Sequence, residues 1–215
     1  MSTWHALSPV DFDLRGHKWP IMYNVHVAGC TGSPLGMEHD HIQDRDITAS
    51  STFDYHSVGP HMGRARQDAK GGAWCPAQTI SHGVREWIEI NLHTDYRITA
   101  AETMGRFGGG QGQEFAETYQ IEYWRAGSGK NTLAIYPQVF ILCLMSGAWH
   151  RYTNTSGHHV LKGNTNTYMA HRQDLHPPIV ASRVRFLPYS VSGGWVGVLI
   201  HIFTCRSIQE PSACG

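Results

Sequence analysis

The run from Gly105 to Arg125, GRFGGGQGQEFAETYQIEYWR, constrains the fold most tightly. A glycine-dense loop carrying Arg106 leads straight into an alternating strand, Tyr119-Gln120-Ile121-Glu122-Tyr123. Glycines let a backbone take positive φ and approach its neighbours closely. The alternation puts Tyr119, Ile121 and Tyr123 on one face and Gln120 and Glu122 on the other, as a half-buried strand requires. A rigid sheet presenting a polar, conformationally free loop is the arrangement of a binding module.

The same texture recurs elsewhere. In Trp87 to Leu92, Ile88, Ile90 and Leu92 alternate with Glu89 and Asn91. In Arg183 to Phe186, Val184 and Phe186 alternate with arginines. No long segment holds a helical period. Short strands separated by Gly, Pro, Asn and Asp clusters predict an all-β sandwich or jelly roll. A chain of 215 residues, 41% of them hydrophobic, fits one domain with its own core. Residues 1–29 show no clear period and read as an N-terminal arm, without the apolar core of a secretion signal.

Composition and motifs exclude several functions. Lys plus Arg equal Asp plus Glu at 17 each, which argues against non-specific nucleic-acid binding. No stretch reaches the ~20 apolar residues of a membrane span. The glycine run lacks GxGxxG spacing and opens a strand, and no Walker, GxSxG or kinase signature is present. No cofactor is implied. His39-Asp40-His41, with His56 and His61 downstream, offers metal-binding side chains, but no third ligand has a recognisable spacing, and solvated loop histidines are the alternative.

Four segments together resemble the discoidin domain of the discoidin domain receptors, within the F5/8 type C family. They are LGMEHDHIQDRDITASSTF (Leu35 to Phe53), GGAWCP (Gly71 to Pro76), the glycine loop followed by Glu114-Phe115, and LHPPIVASRVRFLP (Leu175 to Pro188). The resemblance implies a discoidin-type jelly-roll β-sandwich, or distorted barrel, over residues 30–205, with ligand-binding loops at one end. It implies an extracellular or cell-surface binding domain with no catalysis, whose partner is a collagen triple helix. A discoidin module for carbohydrate or phospholipid head groups is the alternative. A histidine-dependent metal protein or hydrolase, or a non-functional gene-model product, stands further off.

Carried over residue by residue, the implied ligand-binding positions are Phe53, Ser57, Gly71, Arg106 and Glu114. Phe53 stands where the family has tryptophan, and Ser57 where it often has threonine. Gly71 replaces an aspartate that should help hold Arg106, so restoring aspartate there is expected to improve binding. Trp74 is expected to be buried. The resemblance also implies disulfides Cys30–Cys214 and Cys75–Cys205, leaving Cys143 alone among five cysteines. Asn154-Thr155-Ser156 is a glycosylation sequon.

Two regions depart from the family. Residues 130–146 read as an insertion ending in the apolar run Val139 to Met145; intron read-through and an extra hairpin both explain it. Residues 206–215 form an atypical tail. The family's closing strand lies between its last two cysteines, and Cys205 to Cys214 does not alternate and contains Pro211. On that alignment the closing strand is missing and a sheet edge is left open.

Overall fold

The computed structural model describes residues 32–38, 41–65, 71–81, 83–125, 147–189 and 193–205, the last of these by its backbone. They fall in one unit beginning at Thr31. The arm, the insertion, the tail, Cys30, His39, Asp40, Cys143 and Cys214 lie outside the described residues.

Eight strands are described: β1 (Ser33–Pro34), β2 (Ile47–Ala49), β3 (Ile88–Met104), β4 (Thr118–Arg125), β5 (Ala148–Arg151), β6 (Leu161–Lys162), β7 (His171–Tyr189) and β8 (Leu199–Cys205). All pair antiparallel, in the order β1-β8-β3-β7-β4-β5, with β2 on β3 and β6 on β4. The β3–β7 ladder is the spine. It is interrupted between Asn91 and Tyr96 and again between Ile98 and Ala100. At the first break the Asn91 side chain accepts the His93 N–H at 3.0 Å and His93 takes φ 61°. Irregularities of this kind bend a strand, and the network closes around one core, as a jelly-roll sandwich does.

Alternation decides which side chains form that core. Ile88 and Ile90 are fully buried, as are Ile121, Val184 and Phe186, together with Trp74, Ile200 and Ile202. The polar partners of the alternation are not simply solvated. Glu89, Gln120 and Glu122 are also buried, because side chains on the outer face cover them.

The closing strand is present and lies before Cys205. Strand β8 runs between β3 and β1, with Ser33 opposite Thr204 and Pro34 opposite Phe203. Its residues are apolar because both flanks are paired and one face meets the core. The open edge anticipated from the cysteine spacing is therefore not there.

The connections gather at the end of the sandwich where β8 begins. Phe53 donates its N–H to the Cys75 carbonyl at 3.0 Å, and Gly71 donates to Ser57 at 3.0 Å. Trp74 and Val198 exchange both backbone bonds, and so do Ile80 and Gly194. Trp74 is completely buried, and its indole N–H reaches the Ser51 carbonyl at 2.9 Å. One side chain thus pins three connections together, and its polar atom is satisfied as burial demands.

Candidate functional site

Arg106 opens the β3–β4 connection, where Arg106 N–H bonds the Glu114 carbonyl at 2.8 Å and closes the loop at its base. The loop tip, Gly108 to Gly110, has φ of 51°, 62° and 87°, a left-handed run that side chains other than glycine resist. Arg106 Nε donates to the Gly71 carbonyl at 2.6 Å, and Nη1 donates to Glu114 Oε2 at 2.9 Å. A guanidinium carries five donors. Two are used in these bonds and the side chain is a quarter exposed, so a directed cation faces the surface.

The Gly71 carbonyl thus makes the contact expected of the missing carboxylate. Gly71 has no room for a side chain. A Cβ there would collide with the Ser57 carbonyl oxygen and lie 2.5 Å from Val58 Cγ1. A second glycine, Gly197, lets the stem of Arg106 pass, since a Cβ there would sit 2.6 Å from Arg106 Cβ.

Glu114 is held below the usual carboxylate range. Partial burial pushes its pKa up, but the Arg106 hydrogen bond and backbone N–H groups outweigh it. Cys75 borders the same ion pair. Burial pushes its thiol up to about 11, against the pull of Arg106 and with a further push from Glu114. Such a thiol is a weak nucleophile at neutral pH.

Cys75 is a free thiol, and the implied Cys75–Cys205 bridge does not form. The Trp74–Val198 pairing sets Gly197, not a cysteine, opposite Cys75. Cys205 is the far end of β8, seven residues beyond Val198. At ~3.3 Å per residue that is roughly 23 Å of strand, against the ~7 Å limit between bridged Cα atoms.

Phe53 projects from the loops: it is 67% exposed. Its ring meets Trp195 edge-on, with centroids 5.7 Å apart and planes at 87°. Trp195 is 49% exposed and lies in the connection that precedes β8. Gly193 and Gly194, just before it, are both at positive φ. Tyr55 and Phe107 are also exposed nearby in sequence.

Ser57 plays a local part. It lies in the single-turn helix α1 (Tyr55–Val58), and its N–H bonds the capping carboxylate of Asp54 at 2.8 Å. Its hydroxyl also donates to Asp54, so it braces the loop beside Gly71. The structure therefore joins Gly71, Arg106 and Glu114 in one cluster, adds Trp195 to Phe53, and turns Ser57 inward on its own helix. His56 and His61 pack against the Tyr55 ring. Asn154 sits in an exposed turn, with Oδ1 accepting the N–H groups of Ser156 and His158 at 3.0 and 2.9 Å.

Residues 46–134 match the family model of the F5/8 type C domain. The chain is 38% identical over 182 residues to discoidin domain-containing receptor A of Caenorhabditis elegans, covering 85% of this chain and 21% of that protein. It is 29% identical over 195 residues to human epithelial discoidin domain-containing receptor 1, covering 91% and 18%. The chain thus spans about a fifth of the length of these relatives. Among solved structures, recombinant discoidin II of Dictyostelium discoideum superposes with a TM-score of 0.52 at 12% identity, over 77% of this chain and 57% of that one. The family 32 CBM from C. perfringens NanJ, in complex with galactose, gives 0.50 at 11%, over 80% and 98%. The likeness to both is one of fold, the discoidin-type jelly-roll sandwich. The chain carries an F5/8 type C domain of the discoidin type, a binding module and not a catalyst, and over most of its length it is homologous to the discoidin domain receptors.

Proposed function

We propose that this domain is an extracellular recognition module whose loop end binds triple-helical collagen. The observation that carries the reading is the Arg106 guanidinium, aimed by the Gly71 carbonyl and the Glu114 carboxylate. A collagen chain is extended and displays backbone carbonyls along its length. A fixed guanidinium with free donors suits such an acceptor, and little ordering remains to be done when ligand arrives. The exposed Phe53–Trp195 pair supplies apolar contact close by in the same loop cluster. Glycosylation at the Asn154 sequon is part of the same proposed extracellular reading.

Surface-binding assays on folded protein test this. Arg106→Ala, Phe53→Ala and Trp195→Ala are each expected to weaken binding to a triple-helical collagen peptide by about tenfold or more, with melting temperatures near the parent's. The heat-denatured peptide should bind less well. A parent that ignores every collagen but retains galactose-containing glycans or phospholipid vesicles, with loss in the two aromatic variants, would move the assignment to the other ligands of this fold.

A further inference from the structure

Away from the loop end, the outer face of β3-β7-β4-β5 carries a second built surface. Register sets Glu89, Arg185, Glu122 and Arg151 side by side across the four strands. The neighbouring row is Asn91, Arg183, Trp124 and Trp149. The Arg185 guanidinium lies between two indoles, 4.1 Å from the centre of Trp87 and 3.8 Å from that of Trp149. Trp124 meets Trp149 edge-on at 5.6 Å, and Arg183 lies over Trp124 at 5.9 Å.

The charges on this face do not balance. Glu89 is taken at 2.8 Å by Arg185, and Glu122 is taken at close range by Arg85. Arg183 and Arg151 reach those same carboxylates only at 3.8 and 3.7 Å, and their side chains are 47% and 45% exposed. Among the described residues, four guanidiniums share two carboxylates, a local excess of two positive charges on a chain whose formal net charge is zero. Arg183 and Arg151 stand two strands and two residues apart, roughly 12 Å between backbones by standard sheet spacings. Partly exposed indoles lie between them.

We propose that this face binds a sulfated polysaccharide. Guanidinium forks match the oxygens of tetrahedral anions in two-point contact. Indole surfaces offer the apolar faces of sugar rings a flat partner. A repeating anionic chain meets both surplus cations at once, which a single small anion cannot do. The surface is separate from the loop end, and its occupancy does not depend on what the loops bind.

The test uses the full chain on immobilised heparin at pH 7.4, with salt elution. The parent is retained and elutes with rising salt, because the contact is ionic. The double variant Arg151→Gln/Arg183→Gln loses about tenfold or more in affinity, at unchanged melting temperature. The charge-matched double variant Arg45→Gln/Arg172→Gln and the loop variant Phe53→Ala bind as the parent does. Failure of the parent to be retained, equal loss in the charge-matched control, or equal competition by fully desulfated heparin would each overturn the proposal.

Discussion

At the scale of residues, Arg106 is aimed by the main chain as much as by a side chain. The Gly71 carbonyl takes Nε and Glu114 takes Nη1. This reverses the expectation for position 71. Gly71→Asp is now predicted to lower stability by ~1–3 kcal/mol, the usual range for overpacking, and to weaken collagen binding as the carbonyl shifts. Thermal melts and binding assays run together check it; a variant that melts like the parent and binds better would contradict the geometry. Glu114 predicts a pH dependence. Its pKa is depressed in the folded protein, so its stabilisation is present above the ordinary glutamate range and is lost as pH falls through the lower folded value. Glu114→Gln should weaken collagen binding by about tenfold at neutral pH. The gap between parent and variant should hold down to the ordinary glutamate range and close only in stronger acid. Arg106 and Glu114 were named from the sequence through the family resemblance alone, and the ion pair between them is what the structure adds. The Gly71 carbonyl was not legible, because a backbone acceptor leaves no mark on residue type. Trp195 was missed because an apolar run reads alike as strand or as exposed loop.

At the scale of elements, the β4–β5 pair makes the insertion testable. Arg125 and Ala148 lie opposite one another at the end of that ladder. Deleting residues 130–146 leaves Ala126, Gly127, Ser128, Gly129 and Gly147 between them, a connection of about the five residues that commonly close a hairpin. The deletion is therefore predicted to fold, with a melting temperature at or above the parent's and higher soluble yield. A melting temperature several degrees lower would show that the segment packs as an element of the fold. Alternation revealed only parts of β3, β4 and β7, at Ile88 to Leu92, Tyr119 to Tyr123 and Arg183 to Phe186, where apolar side chains face the core and polar ones the other side. Strand β8 lies where the sequence analysis did not place the closing strand. Cysteine spacing pointed beyond Cys205 for the closing strand, whereas pairing to β1 and β3 makes Leu199–Cys205 that strand.

At the scale of the whole molecule, β1 and β8 bring the two ends of the described domain together. Continuing their register sets Cys205 opposite Gly32. Oxidised protein is predicted to yield Cys75 as a thiol, since β8 carries Cys205 to the end of the domain away from it. Peptide mapping without reduction, after alkylation in denaturant, decides this; a mapped Cys75–Cys205 peptide would refute it. The separation of these two cysteines was hidden from the sequence because spacing reports order along a chain, whereas register reports which residues stand opposite one another.

The course of β8 also has a mechanical meaning. The strand begins beside Val198 in the loop cluster and ends at Cys205, pairing along that length with β3 in seven register positions from Met104 to Arg97. Tension between a ligand gripped by the loops and an anchor at Cys205 runs along the strand axis. The ladder is then loaded in shear, and its bonds must yield together rather than open one at a time. A ligand held as proposed would therefore load the β3–β8 ladder along its length.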